Sequence, residues 1–379
     1  FKQKTAYEIK ECDWSSDVCS SDLPVSLPAP TGGWNARDGL TAMGPLDAVT
    51  LTNWFPATTE CVLRNGYIRW ATGIIGEVDT IMAYAGGTDD QLFCIADGEV
   101  YDITLGGSVG AAVLSGLSNS RWGYINIATA GGNFLSMANG VDAPYVYDGA
   151  AWTNPAITGV TAADLKNPIL YAERQFFIEK DSLRVWYLPV DSIAGAANAV
   201  DVSSLATKGG YITAHGTWTI DAGQGVNDHY VIMTSKGQVI VYQGTDPNVA
   251  TDWAMVGVWD IGAPVGDKAL YKYAGDMLVI CQDGVIPMSA ALQSSRVNPK
   301  VAITDKIQYA ISQSITDFGA NYGWQLLYVP TINQLWLNVP VEEGSNQEQY
   351  SMNTISGSWC NYQGWNANCW ELFQDNPYF

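Results

Sequence analysis

Short apolar runs separated by glycine-containing turns recur along most of this 379-residue chain. Two clear cases lie in residues 229–292, where apolar runs flank Lys236-Gly237 and Asp283-Gly284. The four runs are Tyr230–Thr234, Val239–Tyr242, Met277–Cys281 and Val285–Met288. Such an arrangement predicts a β-hairpin, because a tight turn needs a positive φ that glycine adopts without strain.

The same hairpin pattern repeats with a regular period after Ile74. Successive tips are separated by 42, 42, 55, 47 and 49 residues, and a last hairpin turns at Ser356-Gly357. The periodic tips are Asp97-Gly98, Asn139-Gly140, Asp181-Ser182, Lys236-Gly237, Asp283-Gly284 and Ile332-Asn333. This spacing, with several short strands per unit, is typical of a β-propeller, whose four-stranded blades bury their faces against one another.

Residues 76–379 therefore predict an all-β fold, a β-propeller of about six or seven blades. The combined Gly-His…Trp-Asp signature of WD40 repeats does not appear in these units. A pair of β-sandwiches is the alternative architecture, which the regular spacing disfavours. The long interval between residues 182 and 237 predicts a loop-rich insertion at Val190–Tyr211, either a partner contact or a variable loop.

Two further segments depart from the repeat. Residues 24–75 begin with three prolines and predict a short extended N-terminal arm. Within this arm, a hairpin is expected over Val62–Trp70 with its turn at Asn65-Gly66. Apolar residues at helical spacing in Thr304–Thr316 predict one inserted helix, N-capped by Thr304 and packed on or between blades.

The two ends of the sequence do not match the rest. Residues 1–23 are polar and aperiodic and resemble translated sequencing-adapter DNA, so we expect them to be non-native. The chain begins without Met and stops inside a strand-like pattern at Phe379, so we expect a truncated propeller. Without residues 1–23, which hold three lysines and five carboxylates, the net charge of −20 becomes −18.

Composition narrows the classes of function. Only 15% of the residues are charged, against roughly 25% in an average domain, which hints at surface buried against partners. The acidic balance argues against a protein that grips nucleic acid. It suits simple solubility, or a surface past which DNA moves without sticking. No apolar run approaches the ~18 residues of a membrane helix, so we expect a soluble protein without membrane contact.

The sequence offers little for catalysis. It holds two histidines, His215 and His229, the latter expected at a strand edge, and it contains no HExxH or GxxxxGK[ST] motif. We therefore predict no enzyme, no catalytic residue and no cofactor. Five cysteines lie outside residues 1–23 without a CxxC pair, which favours a reduced protein: Cys61, Cys94, Cys281, Cys360 and Cys369.

Two sites of other kinds stay open as alternatives. The Asp and Asn side chains of Asp221–Asp228 would suit Ca²⁺, although a polar loop between blades explains them more simply and no metal is predicted. Asp148–Trp152 and Ser356–Trp359 echo fragments of the sialidase turn, and the chain is rich in Trp. A carbohydrate-binding or glycoside-cleaving propeller is therefore the alternative from another class.

The arm supplies the candidate partner-docking residues. Arginine and large aromatic side chains dominate the energetics of protein interfaces, and the arm contains several of each. The predicted docking residues are Arg37, Trp54, Arg64, Tyr67 and Arg69. The alternative for Arg64 and Arg69 is that they are simply solvated on either side of a turn.

The order of these segments resembles the tail nozzle proteins of short-tailed phages, also called packaged-DNA stabilisation proteins. Asn53–Pro56 and Leu63–Tyr67 are similar to the segment with which that family enters its first blade. Internal blades of the family resemble Glu179–Tyr187 and Tyr242–Thr245, and its helix between blades resembles the one that begins at Asp305-Lys306-Ile307. The resemblance concerns the layout of residues 24–379 and includes no strict motif.

This resemblance implies a structural protein of the virion, located in the tail and assembled in the host cytoplasm. Such subunits form a homo-oligomeric ring below the head–tail connector, extend the DNA channel, retain packaged DNA and carry other tail proteins. Phage DNA would pass through without sequence-specific binding, as the acidic balance suggests. A host-recognition tail component is the alternative within virion proteins.

Overall fold

Six small antiparallel sheets are arranged as the blades of a propeller in the computed structural model, which describes residues 27–221, 226–291 and 299–379. Residues 1–23 lie outside this part. Blades 2, 3, 4 and 6 have four strands, and blades 1 and 5 have three. The predicted all-β propeller is confirmed, with six blades.

The strands are numbered in chain order. Those of the arm are β1 (Gly33–Trp34), β2 (Asp47–Ala48), β3 (Trp54–Pro56), β4 (Cys61–Leu63) and β5 (Ala71–Thr72). Blade 1 and the strand after it are β6 (Val78–Tyr84), β7 (Gln91–Ala96), β8 (Glu99–Asp102) and β9 (Gly107–Ser108). Blade 2 and the strand after it are β10 (Gly123–Thr129), β11 (Gly132–Ala138), β12 (Tyr145–Tyr147), β13 (Trp152–Thr153) and β14 (Ile157–Thr158).

Blades 3 and 4 follow, with β18 outside the blade sheets. Blade 3 comprises β15 (Leu165–Tyr171), β16 (Arg174–Glu179), β17 (Arg184–Tyr187) and β19 (Asn198–Asp201), and β18 is Gly195–Ala196. Blade 4 comprises β20 (Ile212–Asp221), β21 (Val226–Thr234), β22 (Gln238–Gln243) and β23 (Ala254–Asp260).

Blades 5 and 6 are separated by the helical part of the chain. Blade 5 comprises β24 (Leu270–Tyr273), β25 (Asp276–Cys281) and β26 (Gly284–Pro287). The helices are α1 (Met288–Ala291) and α2 (Gln308–Phe318), and 3₁₀ turns cover Ala162–Asp164, Pro299–Val301, Asp305–Ile307 and Pro330–Ile332. Blade 6 comprises β27 (Gln325–Val329), β28 (Gln334–Glu342), β29 (Asn346–Asn353) and β30 (Trp359–Gln363), and the chain ends with β31 (Glu371–Phe373) and β32 (Asn376–Tyr378).

Each pair of successive blades shares its own apolar core. Met82 of blade 1 packs with Leu135 of blade 2, and Val279 of blade 5 packs in one core with Val231 of blade 4. Separate clusters join blades 2 and 3, 3 and 4, and 5 and 6. Because alternate strand side chains point to opposite faces, every blade contributes one face to each neighbour. Blades therefore follow one another around the ring in chain order.

Between blades 6 and 1 the arrangement changes, because residues 365–378, here called the wedge, lie between them. One side of the wedge puts Trp365 and Trp370 against Trp336 of blade 6. The other side puts Cys369 and Phe373 in a core with residues of blade 1. The ring is thus closed by the wedge and not by a blade shared between the two ends of the chain.

Buried side-chain amides of blade 6 hold the wedge in place. Asn338, 1% exposed, donates to the carbonyls of Ala367 and Gly323, each at 2.9 Å. Its Oδ1 accepts from Gln349 Nε2 at 2.8 Å and from Trp370 Nε1 at 3.0 Å. The Gln349 amide also donates to the Trp365 carbonyl at 3.0 Å. A buried backbone carbonyl is costly when unpaired, so these two amides make an irregular segment compatible with burial.

Several local predictions are confirmed. The hairpins that turn at residues 237 and 284 form as expected, with β21 paired to β22 and β25 paired to β26. The inserted helix is present, as a 3₁₀ turn from Asp305 that continues into α2. It packs between blades 5 and 6 through Ile307 and Ile311.

Other local predictions are wrong. No strand is formed by residues 64–70; β4 pairs instead with β3, through a turn at residues 57–60. Thr304 makes no side-chain cap, because its hydroxyl accepts the Val285 N–H at 3.1 Å. Val190–Tyr211 contains the outer strand of blade 3, β19, so it is not simply a loop. His229 lies buried inside β21 and not at a strand edge.

The last periodic tip is also misplaced. Ile332-Asn333 joins the first and second strands of blade 6, whereas the earlier tips join the second and third. The equivalent turn of blade 6 comprises residues 343–345. The helices and 3₁₀ turns between blades 5 and 6, together with the nine-residue strand β28, place this turn beyond the expected interval. Within the described residues, no helix is long and apolar enough to span a membrane.

Replacing Asn338 tests how the ring closes. We expect Asn338→Ala to lower the free energy of unfolding by about 3 kcal/mol, because it removes the side-chain partner of two buried carbonyls and of the Trp370 indole N–H, and one of the two partners of the Gln349 amide. Urea denaturation measures the change. Asn376→Ala, which removes an exposed amide, is the control and should cost less than about 0.5 kcal/mol. Equal losses in the two variants would contradict this role of Asn338.

Candidate interaction surfaces

The arm clasps the outer edge of blade 6. On one face of the blade, Trp34 meets Tyr350 edge-to-face, with ring centroids 5.1 Å apart. On the other face, Leu51 and Phe55 join the core that contains the wedge tryptophans. Between them the arm backbone pairs with β30, through Asn53 N–H to the Asn361 carbonyl at 2.7 Å. The arm therefore covers an edge strand that would otherwise be open.

A polar network ties the arm to the turn that precedes α2. The Lys306 ammonium contacts Asp47 at 2.5 Å and donates to the Gly32 carbonyl at 2.7 Å. Asn35, 1% exposed, donates to Asp47 at 2.8 Å. The candidate docking residue Arg37 forms an ion pair with Asp305. Two parts of the chain more than 250 residues apart are joined here by charge-assisted hydrogen bonds.

The electrostatics of this network favour ionised Asp47. Burial alone would raise its pKa, but hydrogen bonds from Lys306 and Asn35 lower the pKa below the ordinary value of 3.8. The pKa of exposed Asp38 falls to about 2, because Arg37 and Asn35 donate to its carboxylate. The network therefore holds the arm through charges that persist across the neutral and mildly acidic range.

Arg64 is also committed within the chain. Its guanidinium lies 4.3 Å above the Trp365 ring and donates to the Gln363 carbonyl and to Asn53 Oδ1, each at 3.0 Å. Arg64 therefore connects the arm to the start of the wedge. Burial lowers its pKa from the ordinary value, against smaller opposing contributions from Tyr362 and Tyr67. Two of the five candidate docking residues, Arg37 and Arg64, thus hold the arm in place.

The other three candidates are exposed. Trp54 is 48% and Tyr67 62% exposed, and Arg69 also faces solvent. They belong to a larger apolar group that we call the arm surface: Trp54, Leu63, Tyr67, Ile68, Trp70, Leu105 and Phe379. Ring contacts connect Tyr67 to Phe379 and Trp70 to Tyr378, with centroids 5.3 and 5.4 Å apart. Whether these residues dock a partner stays a prediction.

Five members of the arm surface were not predicted from the sequence as docking residues: Leu63, Ile68, Trp70, Leu105 and Phe379. The expected hairpin over Val62–Trp70 would have buried alternate side chains of this segment. The structure leaves residues 64–70 without a strand partner, so Tyr67, Ile68 and Arg69 are exposed in succession. The density of large apolar residues in this segment was the available signal.

A polar cavity of about 340 Å³ is lined by residues from several blades. Its lining comes from blades 4, 5 and 6 and from the chain between blades 1 and 2, and includes Arg121, Tyr211, Thr213, Lys268, Asn321 and Asn368. Arg121 pairs with Glu343 at 2.8 Å and lies 4.2 Å above the Tyr322 ring. This arginine therefore links blade 6 to the chain between blades 1 and 2.

Ionisable groups lie deeper in the fold as well. Glu371 of the wedge accepts a hydrogen bond from Tyr124 of blade 2, and burial raises the pKa of its carboxyl. His215 is bonded to Tyr230 at 2.6 Å and to the Asn167 carbonyl at 2.5 Å. Burial lowers the pKa of His215 to about 4, so the ring is neutral at pH 7. These contacts give both residues a structural role.

No cluster of three or more metal-ligating side chains occurs in the described part of the chain. The calcium alternative at Asp221–Asp228 falls largely on residues 222–225, which lie outside the described residues. Of that segment, Asp228 accepts a hydrogen bond from Thr219 at 2.6 Å. The five cysteines outside residues 1–23 are free thiols, four of them buried.

Comparisons with known proteins assign no family to this chain. No protein-family model matches the chain, and a comparison with curated proteins found no match. Among solved structures, BBS1N in complex with ARL6DN is similar at 11% identity and a TM-score of 0.49, over 80% of this chain and 88% of that one. The β-propeller domain of Swd1 (Cps50) from Myceliophteria thermophila is similar at 14% identity and a TM-score of 0.45, over 76% of this chain and 87% of that one. The computationally designed protein Ika8 is similar at 12% identity and a TM-score of 0.44, over 83% of each chain.

A glycine substitution tests how the arm is seated. Gly33 has a φ of +83°, and an added Cβ would lie 2.7 Å from the Trp359 carbonyl oxygen. We expect Gly33→Ala to loosen the arm, to accelerate tryptic cleavage after Arg37 and to lower the free energy of unfolding by about 2 kcal/mol. Gly39→Ala is the matched control, since its Cβ would meet no atom within 4 Å. Unchanged cleavage of Gly33→Ala would count against the observed seat.

The Asp47 network makes a distinct prediction about pH. A carboxylate with a lowered pKa stabilises the folded state above its ordinary pKa, and this contribution disappears as pH falls through the folded-state pKa. The difference in unfolding free energy between wild type and Asp47→Asn should therefore be constant from pH 5 to 8 and shrink below about pH 4. Urea denaturation across this range measures it, with exposed Asp375→Asn as the control. A difference that grows on acidification would refute the assignment.

Proposed function

We propose that this protein is a structural subunit of a tailed-phage virion, a tail nozzle or head–tail junction component that extends the DNA channel and helps to retain packaged DNA. The observation that carries the proposal is a separation of surface properties along the chain. Residues 27–75 hold three arginines and three carboxylates, whereas residues 76–379 hold 12 Lys and Arg against 30 carboxylates. An arm of zero net charge is joined to a strongly acidic body.

Each part suits one requirement of such a subunit. An acidic body repels the DNA backbone within a Debye length of about 8 Å, so DNA slides past it without being bound. The arm surface presents large apolar side chains at a place of low net charge, where a protein partner loses little electrostatic energy on approach. The resemblance of the arm and blade segments to nozzle proteins supports the same assignment.

A carbohydrate-binding propeller is the second candidate. It is favoured by the polar cavity of about 340 Å³, which combines hydroxyl, amide and charged groups with the half-exposed ring of Tyr211. Thr213, which also lines this cavity, has a buried hydroxyl oxygen without a protein hydrogen-bond partner. Sugar recognition uses such convergent polar groups beside an aromatic face.

Assembly with a connector tests the proposal. The purified protein would be mixed with the head–tail connector encoded in the same genome and imaged by negative-stain electron microscopy. We expect rings stacked on the connector, and no retention of a labelled DNA duplex by the protein at 150 mM salt. Leu63→Asp on the arm should reduce ring formation at least about tenfold, whereas Ile355→Asp, which is 68% exposed on blade 6, should not.

The same preparation distinguishes the alternative. Absence of rings, together with glycan-array binding that is lost in Tyr211→Ala, would replace the nozzle assignment with carbohydrate binding. Tight DNA binding at 150 mM salt would also contradict the proposal, because a channel protein that holds DNA cannot let it pass.

A further inference from the structure

Blade 4 exposes a second apolar surface, at its outer edge. The outermost strand, β23, pairs with β22 on one side, and within the described residues no strand pairs with its other side. Met255 is 48%, Val256 46% and Val258 36% exposed, and Val249 in the preceding loop is 43% exposed. We call these four residues the blade-4 edge. Exposed edge strands in monomers are normally protected by charge or proline, and here the exposed positions are apolar.

A β-bulge explains why this edge presents side chains. The register with β22 shifts at Val241/Tyr242, so that Val241 faces Gly257 and Tyr242 faces Met255, and Val256 is the extra residue. Alternation would have placed only one of Met255 and Val256 outward. The bulge exposes both and also disturbs the backbone ladder, so we expect contact through side chains and not through an added strand.

The position of the edge matters as much as its composition. Because the blades follow one another around the ring in chain order, blade 4 is three positions from blade 1 and two from blade 6. The arm surface lies at the junction of blades 6 and 1. The two apolar surfaces therefore lie on roughly opposite sides of the propeller, as two ends of one repeating contact would require.

Charge is complementary between the two surfaces. Beside the arm surface, Arg69 is exposed. Beside the blade-4 edge, exposed Asp252 makes no ion pair with a described residue and accepts N–H donors from Thr245 and Asp246, at 2.6 and 2.7 Å. An Arg–Asp pair at the rim would orient the contact more than strengthen it.

We propose that the blade-4 edge of one copy docks on the arm surface of the next copy, which generates a head-to-tail assembly of this chain. This inference rests on the proposed ring-forming function and names the surfaces that build the ring. A contact between two different surfaces propagates from subunit to subunit and closes when the rotation between copies divides a full turn. An arm-to-arm contact would instead stop at a dimer.

A mixing experiment tests this contact. An edge variant, Val256→Asp/Val258→Asp, and an arm variant, Leu63→Asp/Tyr67→Asp, each retain one intact surface. We expect each alone to be monomeric by analytical ultracentrifugation, with association weakened at least about tenfold. Their equimolar mixture should form a 1:1 heterodimer that grows no further. All four side chains are at least 36% exposed, so the monomers should remain folded, as circular dichroism would verify.

A matched control variant accompanies the mixing experiment. Val141→Asp on blade 2 changes a valine that is 46% exposed, like Val256, and should assemble as wild type does. The proposed contact is overturned if the edge variant assembles, or if both variants are monomeric and their mixture forms no heterodimer. Either result leaves the proposed ring-forming function untouched. Wild type that stays monomeric at every concentration overturns the contact and the ring together.

Discussion

Closure of the ring is the constraint on which the rest of this structure depends. A blade has two apolar faces, so blades 6 and 1 would each expose one face if nothing lay between them. The wedge fills that position, but its first residues are irregular and bring backbone carbonyls into the core. Asn338 and Gln349 satisfy those carbonyls. Asn338 and Gln349, two of several buried polar side chains of blade 6, therefore permit the ring to close.

Blade 6 accordingly supports both the arm and the wedge. One of its faces packs on α2 and on Trp34 of the arm, and the other receives the wedge together with Phe55. Its outer edge pairs with the arm backbone. The arm and the wedge come from opposite ends of the chain, and Arg64 joins them across the Trp365 ring. The ends of the chain thus stabilise each other through this blade, and the arm surface inherits its position from that arrangement.

The repeat could be predicted from the sequence because each hairpin turn depends on residues that are neighbours along the chain. Features that depend on partners distant in sequence could not be predicted. Turns such as Asp283-Gly284 are defined by residues in contact along the chain, so the blades could be predicted. Asn65-Gly66 has the same form, yet Gly66 has no positive φ and the segment forms no hairpin, since β3 takes β4 as its partner. Asn338 gave no sign of its role, because its partners lie 11 to 32 residues away. Of the seven residues of the arm surface, aromatic content alone predicted only Trp54 and Tyr67.

The distribution of charge gives a physical reason for where copies of this chain would meet. A body with 30 carboxylates and 12 cations repels another such body at short range, so contact is least costly where charge is balanced or paired. The neutral arm meets that condition directly. The blade-4 edge meets the condition of paired charge, because Lys208 forms an ion pair with Asp260 at one end of β23. Asp252 then remains as the carboxylate that would pair with a cation of the next copy. Low charge and exposed apolar side chains therefore coincide at two separate places, and the acidic remainder disfavours any other approach.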